Sequence, residues 1–74
     1  MPQRMFKLNT STMAFLNENN QRSVVTIPAK ALVTLVDGDA EGNGFVKVRY
    51  GEKILSMFAI DLRTRAERMW GQSA

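Results

Sequence analysis

A chain of 74 residues has room for one domain and one core, and at that size it buries only about 60% of the surface its unfolded form exposes, so very regular local structure or a partner chain is expected to support it. With no cysteine and no histidine, the chain has no disulfide staple, no thiolate metal site, no imidazole ligand and no general base of the usual kind near neutrality. The formal net charge of +3 is unevenly placed, because residues 37–44 carry Asp37, Asp39 and Glu41 and no base, while the segments on either side are basic.

The first residues, Met1-Pro2-Gln3-Arg4-Met5-Phe6-Lys7, lack the apolar run of a signal peptide, and no stretch approaches the roughly 20 apolar residues of a membrane span. A cytoplasmic protein without membrane contact is the expectation. Beyond them, short segments rich in Val, Ile, Leu, Phe and Thr are divided by Gly, Asn and Asp clusters, the pattern of antiparallel hairpins. Five strands are predicted, with room for a sixth. Thr12 to Asn17 is the first, reversed by Glu18-Asn19-Asn20-Gln21, and Arg22 to Ile27 returns beside it.

The β-branched run Val24-Val25-Thr26-Ile27 favours a pleated strand, and Pro28, which cannot donate to a ladder, turns Ile27-Pro28-Ala29-Lys30 into a bend. Ala31 to Val36 is the third strand. Residues 37–44 hold three of the five glycines and read as a loop whose glycines supply positive φ. Phe45 to Tyr50 then alternates cleanly, with Val46, Val48 and Tyr50 on a core face and Phe45, Lys47 and Arg49 on a wet one. Gly51-Glu52-Lys53 is a tight turn, and Ile54 to Ala59 is the last strand. Met13, Phe15, Leu55 and Met57 are assigned to the core.

After Phe58 the apolar spacing changes to three and four, through Leu62, Ala66, Met69 and Trp70, which predicts a helix. Asp61 is placed at its N-cap, Gly71 at its end, and Arg63, Arg65 and Arg68 on its outward side.

A hairpin, a bend through Pro28, a second pair with a glycine-rich loop and a terminal strand running into a helical turn resemble the small SH3-like barrels, including the tudor-like kind. That resemblance implies an all-β fold: one SH3-like barrel over residues 1–74, of five to six short antiparallel strands with a short C-terminal helix. Ile27-Pro28-Ala29, Val46-Lys47-Val48-Arg49-Tyr50 and Met57-Phe58-Ala59-Ile60-Asp61-Leu62-Arg63 also resemble a set of short bacterial proteins of unassigned function. Neither likeness supplies a catalytic residue. A plasmid-borne dihydrofolate reductase has similar length and barrel type, but Leu55-Ser56-Met57-Phe58 stands where that enzyme lines its pore with Val-Gln-Ile-Tyr, so the resemblance extends to architecture only.

Four constellations invite a functional reading. Asp37-x-Asp39-x-Glu41-Gly42 opens like a calcium loop, but its twelfth position is Val48 and not a bidentate Glu, so an acidic hairpin loop is the expected reading. Ser56 and Lys53 are three apart on one strand and therefore face opposite ways, which denies a nucleophile and base pair. Phe45, Lys47, Arg49 and Trp70 form the candidate interaction face of a non-catalytic module that is homo-oligomeric or docks a protein partner. Lys47, Arg49, Lys53, Arg63, Arg65 and Arg68 are the candidate contacts of the alternative, nucleic acid. No cofactor is expected.

Overall fold

The computed structural model describes residues 4–69. In chain order these form β1 (Arg4–Leu8), β2 (Thr12–Glu18), β3 (Gln21–Ile27), β4 (Leu32–Asp37), β5 (Phe45–Tyr50), β6 (Lys53–Phe58), α1 (Ala59–Arg65) and β7 (Ala66–Met69). The domain is all-β with one short helix near its C-terminal end. All neighbouring strands run antiparallel, in the order β3-β2-β6-β5-β4-β1-β7. Among the described residues, no helix is long and apolar enough to cross a membrane.

Turn chemistry sets the registers. Asn19 and Asn20 both take positive φ, 53° and 63°, the backbone of a two-residue type I′ loop that asparagine tolerates and whose twist matches the strands it joins. Glu18 therefore pairs with Gln21, and the ladder runs without a break to Thr12 opposite Ile27. Gly51, at φ 63°, does the same for the second hairpin, so that Tyr50 pairs with Lys53 and Phe45 with Phe58. After Pro28 the chain reverses through a turn closed by Ala31 N donating to Pro28 O, with Lys30 at φ 72°.

One face of every strand from β1 to β6 supplies the core. Phe6, Leu8, Ala14, Ile27, Val33, Val46, Val48, Leu55 and Met57 gather there with Ala40, Ala59 and Leu62 in a single cluster, so the sheet has to curl around it. Helix α1 closes the cluster by inserting Ala59 and Leu62, one turn apart and both fully buried.

Several expectations need correction. Seven strands are present among the described residues, not five or six. β1 was not expected as a strand, although Phe6 and Leu8 alternate inward as a half-buried strand should. The helix stops at Arg65, and Ala66–Met69 becomes β7 because the free edge of β1 offers it a complete ladder, from Met5 opposite Met69 to Leu8 opposite Ala66. Its N-cap is Phe58, without a side-chain cap, while Asp61 lies in the first turn and pairs with Arg65 at 3.5 Å. Of the loop glycines only Gly38 has positive φ. Met13 and Phe15 are not core: β2 turns Thr12 and Ala14 inward, leaving Met13 64% exposed and Phe15 half-buried on the opposite face. Trp70 and Gly71 lie outside the described residues.

The loop at Asn20 yields a direct test. Asn20→Ala is expected to cost about 1 kcal/mol, since alanine lacks asparagine's local hydrogen bonding in the left-handed region. That corresponds to a drop of about 4–8 °C in the thermal midpoint followed by circular dichroism, while Asn20→Gly holds or raises it.

Candidate interaction face

The outward positions of β2, β3, β5 and β6 form one surface whose residues are set by ladder parity. β2 contributes Met13, Phe15 and Asn17, β3 Arg22, Val24 and Thr26, β5 Phe45, Lys47 and Arg49, and β6 Ile54, Ser56 and Phe58. None of these positions carries a carboxylate. At its centre three phenylalanines pack together. Phe45 and Phe58 stack with ring centroids 4.6 Å apart and planes at 26°, and Phe15 meets both edge-on at 5.9 and 6.3 Å. Contacts of this kind contribute about 0.5–1.5 kcal/mol each beyond area burial, yet Phe45 remains 53% and Phe58 43% exposed.

The Arg22 guanidinium lies over the Phe15 ring at 5.6 Å. Between the rings and this arginine a cleft of about 130 Å³ is lined by Phe15, Asn17, Arg22, Phe45 and Ser56. Phe45, Lys47 and Arg49 thus sit on one exposed face, as their alternation requires. The ladder also sets Lys47 opposite Ser56, a proximity that spacing along one strand does not reveal. Asp37 at the end of β4 is the neighbour of Lys47 on the other side.

The remaining candidate bases are engaged elsewhere. Lys53 pairs with Glu18 at 3.7 Å, Arg65 with Asp61 at 3.5 Å, and Arg68 with Glu41 at 3.5 Å while also covering the Phe6 ring. Arg63 does not point outward from the helix. Its guanidinium donates to the carbonyl of Ala40 at 2.9 Å and to that of Gly42, reaching across to the acidic loop. A groove of about 290 Å³ beside it is lined by Phe6, Ala40, Glu41, Leu62, Arg63, Ala66 and Arg68, and its three charged groups are the ones just described.

The carboxylates of that loop point to separate places. Asp39 accepts from the Glu41 backbone N–H at 2.9 Å, Glu41 reaches Arg68, and Asp37 lies beside Lys47. Among the described residues no three metal-ligating side chains gather. Phe15, Phe58 and Arg22 belong to the face but were not singled out from the sequence. Phe58 was within reach, since the two-residue Gly51-Glu52 turn forces it opposite Phe45. Phe15 and Arg22 required the pairing of β2 with β6, between segments about 40 residues apart, which no local pattern encodes.

Compared with family models, with curated proteins and with solved structures, the chain matches none.

The Arg63 contacts carry a stability prediction. Arg63→Met removes a charged donor from two loop carbonyls and is expected to cost about 1–2 kcal/mol, read in urea unfolding, with faster proteolysis within residues 38–44.

Proposed function

We propose that this domain is a non-catalytic interaction module that self-associates, and that its contact surface is the outer face built around Phe15, Phe45 and Phe58. The observation that carries this reading is the stacked Phe45–Phe58 pair, left about half exposed on a face that also presents Met13, Val24 and Ile54. Single exposed apolar side chains are ordinary on any protein, but a contiguous aromatic cluster rimmed by polar groups marks a place where another surface lands. Arg22, Asn17, Lys47 and Arg49 supply such a rim. The absence of histidine and cysteine from the chain supports a role carried by surface complementarity and not by acid–base or thiolate chemistry. The architecture that accompanies this reading is the SH3-like small barrel, supported by the succession of a hairpin, a bend at Pro28, a second hairpin and a helical turn.

Sedimentation of the purified chain at tens to hundreds of micromolar tests it. A species larger than the monomer is expected, and Phe45→Glu, which changes an already exposed side chain, is expected to shrink it while leaving the circular dichroism spectrum unchanged. A monomer across that range ends the reading.

The basic rim supports a second reading, in which the rings stack on the bases of a single strand and Arg22, Lys47 and Arg49 meet its phosphates. Affinity for a mixed single-stranded oligonucleotide pool then falls as salt is added, with a log–log slope of about −0.7 for each phosphate contact. Lys47→Glu weakens it about tenfold, and Arg65→Glu changes it little. Binding that is absent at low salt removes this reading.

A further inference from the structure

Among the described residues the sheet has two edges, β3 and β7, and they differ in kind. β7 is four residues long and carries Glu67 and Arg68, which is how natural edge strands discourage pairing. β3 is seven residues long, keeps an unbroken register with β2, contains no proline and has one charge, Arg22. A single arginine is weak protection for an edge of this length. We propose that two copies of this chain join along the free edge of β3, antiparallel about a two-fold axis at Val24, making one continuous sheet.

Hydrogen-bond parity selects the groups involved. The two-residue loop makes Glu18–Gln21 the closing hydrogen-bonded pair, so Gln21, Ser23, Val25 and Ile27 turn their N–H and C=O groups toward β2. Arg22, Val24 and Thr26 turn theirs outward. Among the backbone hydrogen bonds outside the ladders of the described residues, none reaches these three. Exposed edge groups of this kind fit another extended strand and little else.

The fit to a second copy follows from the position of Val24, the middle residue of β3. An axis there overlays the whole strand on its mate, sets Arg22 opposite Thr26 of the second copy, and forms about six inter-chain hydrogen bonds. The two Arg22 side chains then start four residues apart along the sheet, about 13 Å, beyond the screening length of about 8 Å at physiological salt. No like charges face each other. Val24, 60% exposed and paired on its other side with Phe15, meets Val24 of the second copy, so the apolar row continues across the axis. The inference goes beyond the reading of the aromatic face, because it depends on the backbone of β3 and not on the phenylalanines.

The absence of native cysteine gives a clean experiment. In the proposed pair the two Val24 Cα atoms stand about 5.5 Å apart, inside the range a disulfide bridges. Val24→Cys is therefore expected to oxidise to a covalent dimer at least about tenfold faster than Leu32→Cys, which is exposed on a strand away from this edge. The link is expected to form equally fast in a Phe45→Glu background. Val24→Pro removes an outward N–H without touching the ladder to β2, and Val24→Lys keeps the N–H but sets two ammonium groups face to face. Both are expected to raise the dissociation constant about tenfold or more in sedimentation, and the lysine variant serves if the proline variant does not fold.

Val24→Cys linking no faster than Leu32→Cys, with both other Val24 variants sedimenting as the parent, overturns the inference. If Phe45→Glu then dissolves the oligomer, the aromatic-face reading stands by itself. A link lost in the Phe45→Glu background also overturns it, since the copies then meet face to face. Val24 also lies on the outer face beside Phe15, whereas Val24→Pro keeps an apolar side chain there and removes only the outward N–H. Loss of the oligomer in Val24→Pro, together with a fast Val24→Cys link that Phe45→Glu leaves unchanged, therefore supports the edge and removes the face.

Discussion

Strand β1 is hydrogen-bonded on both sides, to β4 and to β7, and the last strand is joined to the rest of the sheet through it. At its end, Leu8 N donates to Ala31 O and Leu8 O accepts from Lys30 N, at 2.9 and 2.7 Å, while Asn9 N donates to Arg65 O at 2.7 Å. One end of one strand thereby fixes both the bend after Pro28 and the exit from α1. Backbone groups buried between strands require partners, so β1 could not leave without orphaning the edges of β4 and β7 together. The left-handed backbone at Lys30, which costs a residue of this type about 1–2 kcal/mol, is held by the same pair of hydrogen bonds.

This arrangement also decides where charge is spent. The acidic loop and the C-terminal arginines are separated by some 20 residues, and the fold brings them together: Arg63 satisfies loop carbonyls and Arg68 faces Glu41. Exposed ion pairs of the latter kind contribute less than about 1 kcal/mol to stability. Their larger effect is on the surface potential, since they leave Arg22, Lys47 and Arg49 as the positive groups around the phenylalanines, with no acid at the outward positions between them. The side chosen for the aromatic rings follows from parity. With Ala14, Val46 and Met57 turned inward, alternation sends Phe15, Phe45 and Phe58 outward, and the small core has no place for three more rings.

Much of this was legible in the residues. The hairpin at Asn19-Asn20, the bend at Pro28, the strand from Phe45 to Tyr50 and the burial of Leu55 and Met57 all follow from local turn chemistry and period-two alternation. The wet face of β5 was legible for the same reason. Phe15 was misplaced because its segment is apolar on both faces, and when parity gives no preference only the neighbouring strands decide which face is buried. The last segment was misread because the three- and four-residue spacing of Leu62, Ala66 and Met69 is compatible with a helix, whereas the structure gives Ala66–Met69 an empty strand edge. A complete ladder outweighs the weak intrinsic preference of four residues.

The amino-acid sequence by itself determined the all-β character, the places where the chain reverses and the alternation of wet and dry residues within each strand, because each depends on neighbours one to four positions apart. Tertiary structure decided what lies beside what. The meeting of Phe15 with Phe45 and Phe58, the capture of the acidic loop by Arg63 and the two-sided pairing of β1 all join segments distant in the chain. Such contacts form only when the sheet curls and its strand order is set, and that order is a property of the whole core.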